Sequence, residues 1–338
     1  MVTIEDIAAD AQVSVATVSR VLNGNKSVSE KLRRRVLESI QRNHYMSNAV
    51  ARSLVAGRSD TIAVVVPDMS DYVSSKVIKG ISRVCQERNK TLIVCDYNRD
   101  NGKAVKLLYK LQERNLDGLI FSGKSFDNDL MDTMLNLPCP VVLFGQADNN
   151  GKAPCRISAV IMDGYEMAGN VTRFLLRDGH RKIAYIGGNS NDYMNGVRRK
   201  EGFFDAMIER NLSIPDSYIV QTDFTIEAGY IGMKKIYEES EELPTAIIAG
   251  GDAIAVGVIR YLQSMGIRIP EDISLISFDD TISDIIEIPL SAVHTDVYQQ
   301  AQMLLDELER LGVKGKKVQR KVIYYSYKIL RRRSTRRI

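Results

Sequence analysis

The 338-residue sequence predicts an α/β fold with a short helical head and a body of two lobes, each lobe a doubly wound parallel sheet. Three observations lead to this prediction. Apolar residues recur with helical spacing through about the first 45 residues. Beyond residue 60, short apolar runs alternate with amphipathic stretches, which is typical of parallel sheets covered by helices. Charge is also divided unevenly between the head and the body.

The second helix of the head lies in the segment VSVATVSRVLNG, although its many β-branched residues favour a strand. Val18 and Val21 follow the spacing of a helix, and the adjacent pair Val21-Leu22 breaks the alternation that a strand needs. Ser14 can cap this helix, and Gly24 can end it in the left-handed conformation. The segment is therefore predicted to be helical.

Two further helices flank that segment. Thr3, with Asp6 three residues later, forms a capping-box pattern at the start of the first one. The third runs from Ser29 and places apolar residues at Leu32, Val36, Leu37 and Ile40. Two short helices braced by a third make a helix-turn-helix, whose second helix fits the major groove of DNA. From periodicity alone, a generic three-helix bundle is an equally good interpretation.

The distribution of charge supports a polyanionic partner for the head. Residues 1–58 carry nine Lys and Arg against five Asp and Glu, which gives +4. Residues 328–338 carry +6, so the remaining residues 59–327 carry −6. A basic head on an acidic body suggests that the head meets nucleic acid and the body does not.

The stretches TIEDIAADAQVSVATVSRVLNG, VSEKLRRRVLESIQRNHY and NAVARSLVAG closely resemble the head of the lactose-repressor/galactose-repressor (LacI/GalR) family of transcription regulators. The resemblance implies that Val15, Ala16 and Arg20 read base edges. Arg can bind guanine N7 and O6, and Val and Ala can contact thymine methyl groups. It also implies phosphate contacts from Thr3, Ser14, Thr17, Ser19 and Asn23. Gln12 departs from the family's usual Gly, and costs about 1 kcal/mol if it is left-handed.

Residues 48–57 form a separate short segment. The resemblance implies that this segment is a hinge helix, which becomes ordered when it binds in the minor groove of DNA. Leu54 would insert between base pairs, and Asn48 and Ala51 would contact DNA in the same groove. A helix this short is marginal by itself. Without the resemblance, an ordinary linker with one incidental leucine is the better interpretation.

In the body, ten apolar runs are predicted to be strands. Those of a first lobe are TIAVVVP (61–67), TLIVCD (91–96), LDGLIF (116–121) and PVVLFG (140–145). Those of a second lobe are AVIMD (159–163), KIAYIGG (182–188), YIVQTD (218–223), TAIIAGG (245–251) and SLISFDD (274–280). AVHTD (292–296) is predicted to return to the first lobe. Two such sheets leave a cleft between their carboxyl edges, where ligands bind.

The resemblance extends through DGHRKIAYIGG, RRKEGF, EDISLISFDD and RRRST, and implies the two-lobed fold of type I periplasmic binding proteins. It gives a helix-turn-helix headpiece at 1–47, a hinge or linker at 48–58, and an effector-binding and dimerisation core at 59–338. Within the core, the first lobe is expected to combine about 60–158 with about 291–321. The second lobe is expected to combine about 159–290 with about 322–338, so that KVIYYSYKIL joins it.

Candidate effector residues also follow from the resemblance. Arg199 lies in the motif R-x-x-G-F and matches an arginine that binds effectors in the family. Asp252 lies in GGDAIAVG and matches an effector-binding aspartate. Phe224 matches an aromatic residue that stacks on the effector. Further candidates are Tyr72, Val73 and Ser74, expected in a loop that covers the ligand, together with Gln146 and Thr295. Arg, Asp and a flat aromatic suit a polyhydroxylated ring. Taken singly, Arg199 could be a helix-surface charge and Asp252 a helix N-cap.

Several classes of function find no support. The adjacent pair Asp279-Asp280 points to opposite faces of a strand, which disfavours a glycosidase. The three histidines and four scattered cysteines show no metal or disulfide spacing. No nucleotide-binding motif is present. We therefore expect no enzyme, no cofactor and no metal, and no apolar run reaches membrane-spanning length.

The function expected from the sequence is that of a cytoplasmic homodimeric repressor. It would bind a pseudo-palindromic double-stranded DNA operator and control carbohydrate-utilisation genes in response to a small sugar, without contact to a membrane. A repressor that responds to a purine or another metabolite is the alternative within the family. A solute-binding receptor would share the body but would lack the basic helical head.

Overall fold

The computed structural model describes residues 2–22, 27–45, 59–148, 154–313 and 318–338. Contacts divide the chain into two compact units, Met1–Ser59 and Asp60–Ile338, which are the head and the body. Within the described ranges, no helix combines the length and the apolar character that crossing a bilayer requires.

The head contains the three predicted helices, α1 Ile4–Asp10, α2 Val15–Leu22 and α3 Glu30–Arg42. α1 opens with the predicted capping box: the Asp6 N–H donates to the Thr3 hydroxyl, and the Thr3 N–H donates to the Asp6 carboxylate at 2.8 Å. At α2, the Thr17 N–H donates to the Ser14 hydroxyl at 3.2 Å. Local hydrogen bonds therefore fix where the first two helices begin.

All three helices contribute to one small core. Its buried apolar members are Ile7, Ala8, Ala11, Val18, Val21 and Val36. Burial of the valines against α1 and α3 outweighs the preference of β-branched residues for strands. Leu37, which the sequence placed on the apolar face, is 51% exposed, so that prediction is wrong. Ser39 is buried instead, because its hydroxyl donates to the Asp10 carboxylate at 2.5 Å.

The first lobe of the body is a parallel sheet with helices on both faces. Its strands are β1 Thr61–Val66, β2 Thr91–Asp96, β3 Gly118–Ser122, β4 Val141–Phe144, β5 Ser158–Ile161 and β11 Val322–Tyr324, in the order β11-β5-β4-β3-β1-β2. Its helices are α4 Tyr72–Glu87, α5 Asn101–Gln112, α6 Asn128–Leu135 and α11 Val297–Leu311. α4 and α11 pack on one face of the sheet, while α5 and α6 pack on the other.

The second lobe repeats this arrangement. Its strands are β6 Ile183–Gly188, β7 Ile219–Thr222, β8 Ala246–Ala249, β9 Ser274–Ser277, β10 Ser291–His294 and β12 Lys328–Leu330, in the order β12-β10-β9-β8-β6-β7, with only β12 antiparallel. Its helices are α7 Gly164–Arg177, α8 Arg198–Ile208, α9 Ile226–Glu239 and α10 Asp252–Ser264. α7 and α8 cover one face, and α9 and α10 cover the other. The predicted doubly wound architecture is confirmed.

The assignment of three strands to lobes was wrong. β5 lies in the first lobe, where Ala159 pairs with Leu143 of β4. β11 joins the first lobe beside β5, and β10 lies in the second lobe, where Ser291 pairs with Ile276 of β9. The chain therefore crosses between lobes after β5, β10 and β11. An apolar run shows that a strand is buried, but only pairing with an open sheet edge decides which sheet it joins.

Candidate nucleic-acid interface and ligand cleft

The exposed side of α2 is the candidate nucleic-acid interface. Val15, Ala16 and Arg20 are exposed, whereas Val18 and Val21, on the opposite side, are buried in the head core. The exposed side of α2 therefore presents the Arg20 cation together with the small apolar side chains of Val15 and Ala16. An exposed valine beside an exposed arginine is the arrangement that suits a groove with both hydrogen-bonding and methyl-bearing edges.

The turn before α2 holds this helix against α1. Gln12 has φ 52°, so the left-handed conformation expected for a family glycine is adopted by a glutamine. Its side-chain oxygen accepts a hydrogen bond from Arg35 of α3 at 3.2 Å. The strain of about 1 kcal/mol in the turn is thus partly offset by a bond to the bracing helix.

Four of the five predicted phosphate-contacting residues of the head lie within the described chain, on α2 or at the N-caps of α1 and α2. Thr3 and Ser14 lie at the N-caps of α1 and α2, and the hydroxyls of Ser14 and Thr17 share a hydrogen bond of 2.9 Å. Ser19 is half-buried on α2. The structure brings Thr3, Ser14, Thr17 and Ser19 to the starts and the flank of the two helices. Asn23, Asn48, Ala51 and Leu54 lie outside the described residues.

The candidate ligand cleft lies between the two lobes of the body. Contacts join loops that follow strands of the two sheets, so the carboxyl edges of the sheets face each other. The Gln146 amide, after β4, donates to the Asp192 carboxylate, after β6. The Lys124 ammonium, after β3, lies 5.0 Å from the centre of the Phe224 ring, after β7. These are the edges at which open α/β folds bind ligands.

Arg199 is buried on the second-lobe side of this cleft. Its side chain belongs to α8 and is only 5% exposed. One terminal nitrogen donates to the Gly250 carbonyl at 2.9 Å, and the guanidinium lies 5.1 Å from the centre of the Phe278 ring. Among the residues that the structure describes, none forms a hydrogen bond with its Nε. A buried, unused donor of a charged group is costly unless a ligand satisfies it.

The Asp252 carboxylate is occupied by hydrogen bonds within the protein. It is 1% exposed at the start of α10, and its two carboxylate oxygens accept five hydrogen bonds from the segment 277–283. The donors are the hydroxyls of Ser277, Thr281 and Ser283 and the N–H groups of Thr281 and Ile282. With this many partners the carboxylate has little capacity left, so the geometry opposes the predicted role in binding an effector.

Asp279, which sequence reasoning set aside, lies where Asp252 was expected. Its Oδ2 is 2.5 Å from the position that a Cβ on Gly251 would occupy, and Phe224 Cδ1 is 3.6 Å from the same position. Burial raises the pKa of Asp279 to about 7, the nearby Arg199 opposes that rise, and the charges of Asp252 and Asp71 add to it. Asp279 therefore lies with Arg199 and Phe224 around the Gly250-Gly251 turn.

The doublet Asp279-Asp280 was itself the signal that could have found this residue. The predicted strand 274–280 ends at Ser277, so strand alternation does not apply to the pair, but the two carboxylates make different contacts. Asp280 turns away to bind Arg332 at 2.7 Å and His294 at 2.7 Å, and its carbonyl accepts from Lys76 at 2.7 Å. These contacts place the Asp279 carboxylate beside Gly251 and give the Asp280 carboxylate a structural role.

The remaining candidates are distributed around the cleft. Tyr72, Val73 and Ser74 were expected in a loop, but they form the first turn of α4, capped by the Asp71 carboxylate at 2.9 Å from the Val73 N–H. That prediction is wrong, because the Asp71 side chain caps a helix that begins at Tyr72. Thr295 is half-buried at the crossing between β10 and α11.

The described residues hold no group of three His, Cys, Asp or Glu side chains that could bind a metal ion. Charged and aromatic side chains line the candidate cleft. Such a set can bind and orient a small ring with polar substituents.

Two family models match this chain. Residues 3–48 match the model for bacterial regulatory proteins of the lacI family, and residues 172–335 match a periplasmic binding protein-like domain. The two matches fall in the head and in the body, respectively. Their order along the chain agrees with the two units that the structure shows.

Relatives resemble the chain over most of its length. It is 34% identical to catabolite control protein A of Priestia megaterium over 298 residues, which are 88% of this chain and 88% of that protein. It is 33% identical to the HTH-type transcriptional repressor PurR of Klebsiella pneumoniae (strain 342), over 83% of this chain and 81% of that protein. The fold superposes with a TM-score of 0.87 on a lac repressor dimer bound to operator, at 23% identity and with 99% of both chains covered.

Proposed function

We propose, from the premise that this chain belongs to the lacI family of bacterial regulatory proteins, that it represses carbohydrate-utilisation genes under the control of a small sugar. Members of this family bind operator DNA and small-molecule effectors. The chain is accordingly a DNA-binding transcription regulator and not an enzyme. The sugar, the repression and the target genes are the proposal.

The exposed face of α2 is the observation that carries the DNA-binding part of the proposal. Arg20 would bind a guanine edge, and Val15 and Ala16 would contact thymine methyl groups. The cap residues of α1 and α2 would fix the helix on phosphates. As a homodimer, which the lac repressor structure also is, the protein would read a pseudo-palindromic operator. A cytoplasmic location would follow from this function.

The buried Nε of Arg199 supports an effector in the cleft. Arg199 would donate to ring hydroxyls, Asp279 would accept from them, and Phe224 would offer an apolar platform. The effector would change the closure of the lobes, since contacts such as Lys76 with the Asp280 carbonyl join one lobe to the other. That change would order or release the segment 48–58 on DNA, and effector and operator would affect each other's affinity equally.

The purine branch is the second candidate, because one of the relatives is named as the PurR repressor. A flat nucleobase would also stack on Phe224 and bind an arginine and a carboxylate. The two candidates differ in the ligand and not in the site.

The test is selection of bound sequences from a randomised duplex library by the full-length chain, in the presence of excess genomic competitor. We expect a pseudo-palindromic consensus, and release or tightening of that complex by a sugar. Purine bases and nucleosides form the parallel arm of the effector screen. A chain that shows no preference for any duplex, with or without small molecules, would refute the proposal.

A further inference from the structure

We propose that the Tyr185 hydroxyl and the Arg199 Nε form a buried subsite for one hydroxyl oxygen, supplied by a water molecule in the free chain and by a ring hydroxyl in the effector complex. Tyr185 is then a specificity-determining residue of the cleft. The inference rests on the proposed sugar effector and narrows it, because the subsite selects a ring that carries the matching hydroxyl. Neither the sequence pattern nor the resemblance singled out Tyr185.

The Tyr185 side chain is the first observation. It belongs to β6 and is completely buried. Its ring stacks on that of Phe203, with centres 5.4 Å apart, and its centre lies 6.2 Å from that of Phe278. Among the residues that the structure describes, none forms a hydrogen bond with the Tyr185 hydroxyl. A buried hydroxyl without a partner is unfavourable, so it points to a bound group.

The Tyr185 ring extends along β6 toward the carboxyl edge of the sheet, where the cleft lies. A Cβ on Gly187 would overlap the ring and the hydroxyl of Tyr185, so the side chain covers the residue two positions further along the strand. A Cβ on Gly250 would in turn lie 2.8 Å from Gly187 Cα. The Gly250 carbonyl is the one that accepts a hydrogen bond from Arg199, so the Tyr185 hydroxyl lies close to the place where Arg199 is held.

The Nε of Arg199 is the second observation. No described residue forms a hydrogen bond with it, although the side chain is only 5% exposed. The guanidinium lies 5.1 Å from the centre of the Phe278 ring, which Tyr185 also approaches. Burial raises the pKa of the Tyr185 hydroxyl, and the charge of Arg199 opposes that rise, as expected for neighbouring groups. Two buried polar atoms that no described residue bonds therefore lie beside one aromatic ring.

A single hydroxyl oxygen can satisfy both atoms. The Nε–H of Arg199 only donates, whereas the Tyr185 hydroxyl donates or accepts. Water and a sugar hydroxyl can each accept from the Nε–H and form a second hydrogen bond with the Tyr185 hydroxyl. A buried water needs at least two polar partners, which this subsite supplies. A ring hydroxyl that replaces the water keeps both hydrogen bonds, whereas a deoxy position loses them.

The first test is a crystal structure of the full-length wild-type chain without added small molecules. We expect a water oxygen about 2.6–3.2 Å from both the Tyr185 hydroxyl and the Arg199 Nε. The same water should be missing from Tyr185→Phe, which keeps the ring and removes only the hydroxyl. If no oxygen lies between the two atoms in the wild type, the proposal is overturned.

Urea unfolding supplies a test of sign. If the Tyr185 hydroxyl is hydrogen-bonded to water, Tyr185→Phe should increase the equilibrium constant of unfolding roughly two- to tenfold. If the hydroxyl has no partner, its removal should decrease that constant or leave it unchanged, which would contradict the proposal. Tyr218→Phe is the matched control, because Tyr218 is also buried in the second lobe and its hydroxyl donates to the Glu242 carbonyl at 2.8 Å. The control should lose a similar amount of stability.

Ligand titrations test specificity. Glucose, galactose and ribose are titrated into the full-length chain by isothermal titration calorimetry, and each sugar that binds is followed by its single-deoxy analogues. We expect one deoxy position to weaken binding to the wild type by about tenfold or more. The weakening at that position should be at least about threefold smaller in Tyr185→Phe, and Tyr218→Phe should retain the full difference.

The outcomes separate this inference from the proposed function. A deoxy analogue that loses the same affinity in Tyr185→Phe as in the wild type overturns the role of Tyr185 in specificity and leaves the sugar effector standing. If the water is present but none of the three sugars binds, in a chain that still selects an operator, the effector half of the inference is overturned. That result also counts against the proposed sugar effector.

Discussion

The head and the cleft present their candidate functional side chains in opposite ways. In the head, Val15, Ala16 and Arg20 lie within six residues of one another on one helix and are exposed. In the cleft, Arg199, Phe224 and Asp279 come from three separate parts of the chain, and Arg199 is almost completely buried. The difference shows that an interface for a large partner can be built on one element, whereas a site that encloses a small ligand needs several.

The residues around the candidate side chains also play different roles in the head and in the cleft. The face of α2 needs only to be held in place, which the head core and the Gln12 turn accomplish. In the cleft, the surroundings change the chemistry of the groups, as the raised pKa of Asp279 shows. Substitutions should therefore affect recognition in the head and both stability and chemistry in the body.

The largest expected effect is on stability. Asp252→Ala should lower the free energy of unfolding of the full chain by about 3 kcal/mol or more, because five buried donors would lose their acceptor. Urea unfolding followed by circular dichroism measures the change. A variant of unchanged stability that no longer responds to effector would restore the role that the sequence suggested for Asp252.

The next effect is a dependence on pH. Because burial raises the pKa of Asp279 to about 7 from its ordinary value of 3.8, the folded chain holds a proton that the unfolded chain has released. This contribution to stability is fully present below pH 3.8 and is lost as the pH rises through about 7.

Asp279→Asn isolates that contribution. The free energy of unfolding of the wild type, minus that of the variant, should fall by a few kcal/mol between about pH 4 and about pH 8, since each pKa unit is worth about 1.4 kcal/mol. Asp284→Asn, at an exposed acid in the same segment, is the control and should give a flat difference. A flat difference for Asp279→Asn as well would show that this carboxylate is not buried.

In the head, the effect should appear in recognition. Arg20→Ala should weaken operator binding by roughly 1–3 kcal/mol and relax the preference at one base position, with little change in binding to random DNA. Fluorescence anisotropy on operators that vary at each position measures this. Arg210→Ala, an exposed arginine of the body, should leave both affinities unchanged. An unaltered base preference in Arg20→Ala would contradict base reading by α2.

The smallest effect concerns the turn. Gln12→Gly should stabilise the head by less than about 1 kcal/mol and raise its thermal midpoint slightly. The reason is that the relief of backbone strain exceeds the loss of the hydrogen bond to Arg35. Arg35→Ala, which removes that bond but leaves the strain, should lower the midpoint. Equal shifts of both variants in the same direction would show that the hydrogen bond, and not the backbone, governs the turn.

The helices of the head and the strands of the body could be read from local patterns, since caps and apolar spacing act over a few residues. Leu37 was misplaced because the pattern could not show that Ser39 reaches Asp10 on another helix. β5, β10 and β11 were assigned to the wrong lobes, because an apolar strand fits either sheet until its neighbour is known. Asp279 and Asp252 were exchanged for a similar reason, since both follow buried strands and only packing shows which carboxylate is already satisfied.

The sequence by itself determined the elements, their order, the exposed face of α2 and the family, because these depend on spacing along the chain. The tertiary structure alone decided which sheet each crossing strand joined, which aspartate reached the cleft, and that Lys124 lies on Phe224. The physical reason is that the charge and hydrogen bonds of a buried group depend on partners distant in sequence. A local sequence pattern cannot show which buried donors and acceptors remain without a hydrogen-bond partner.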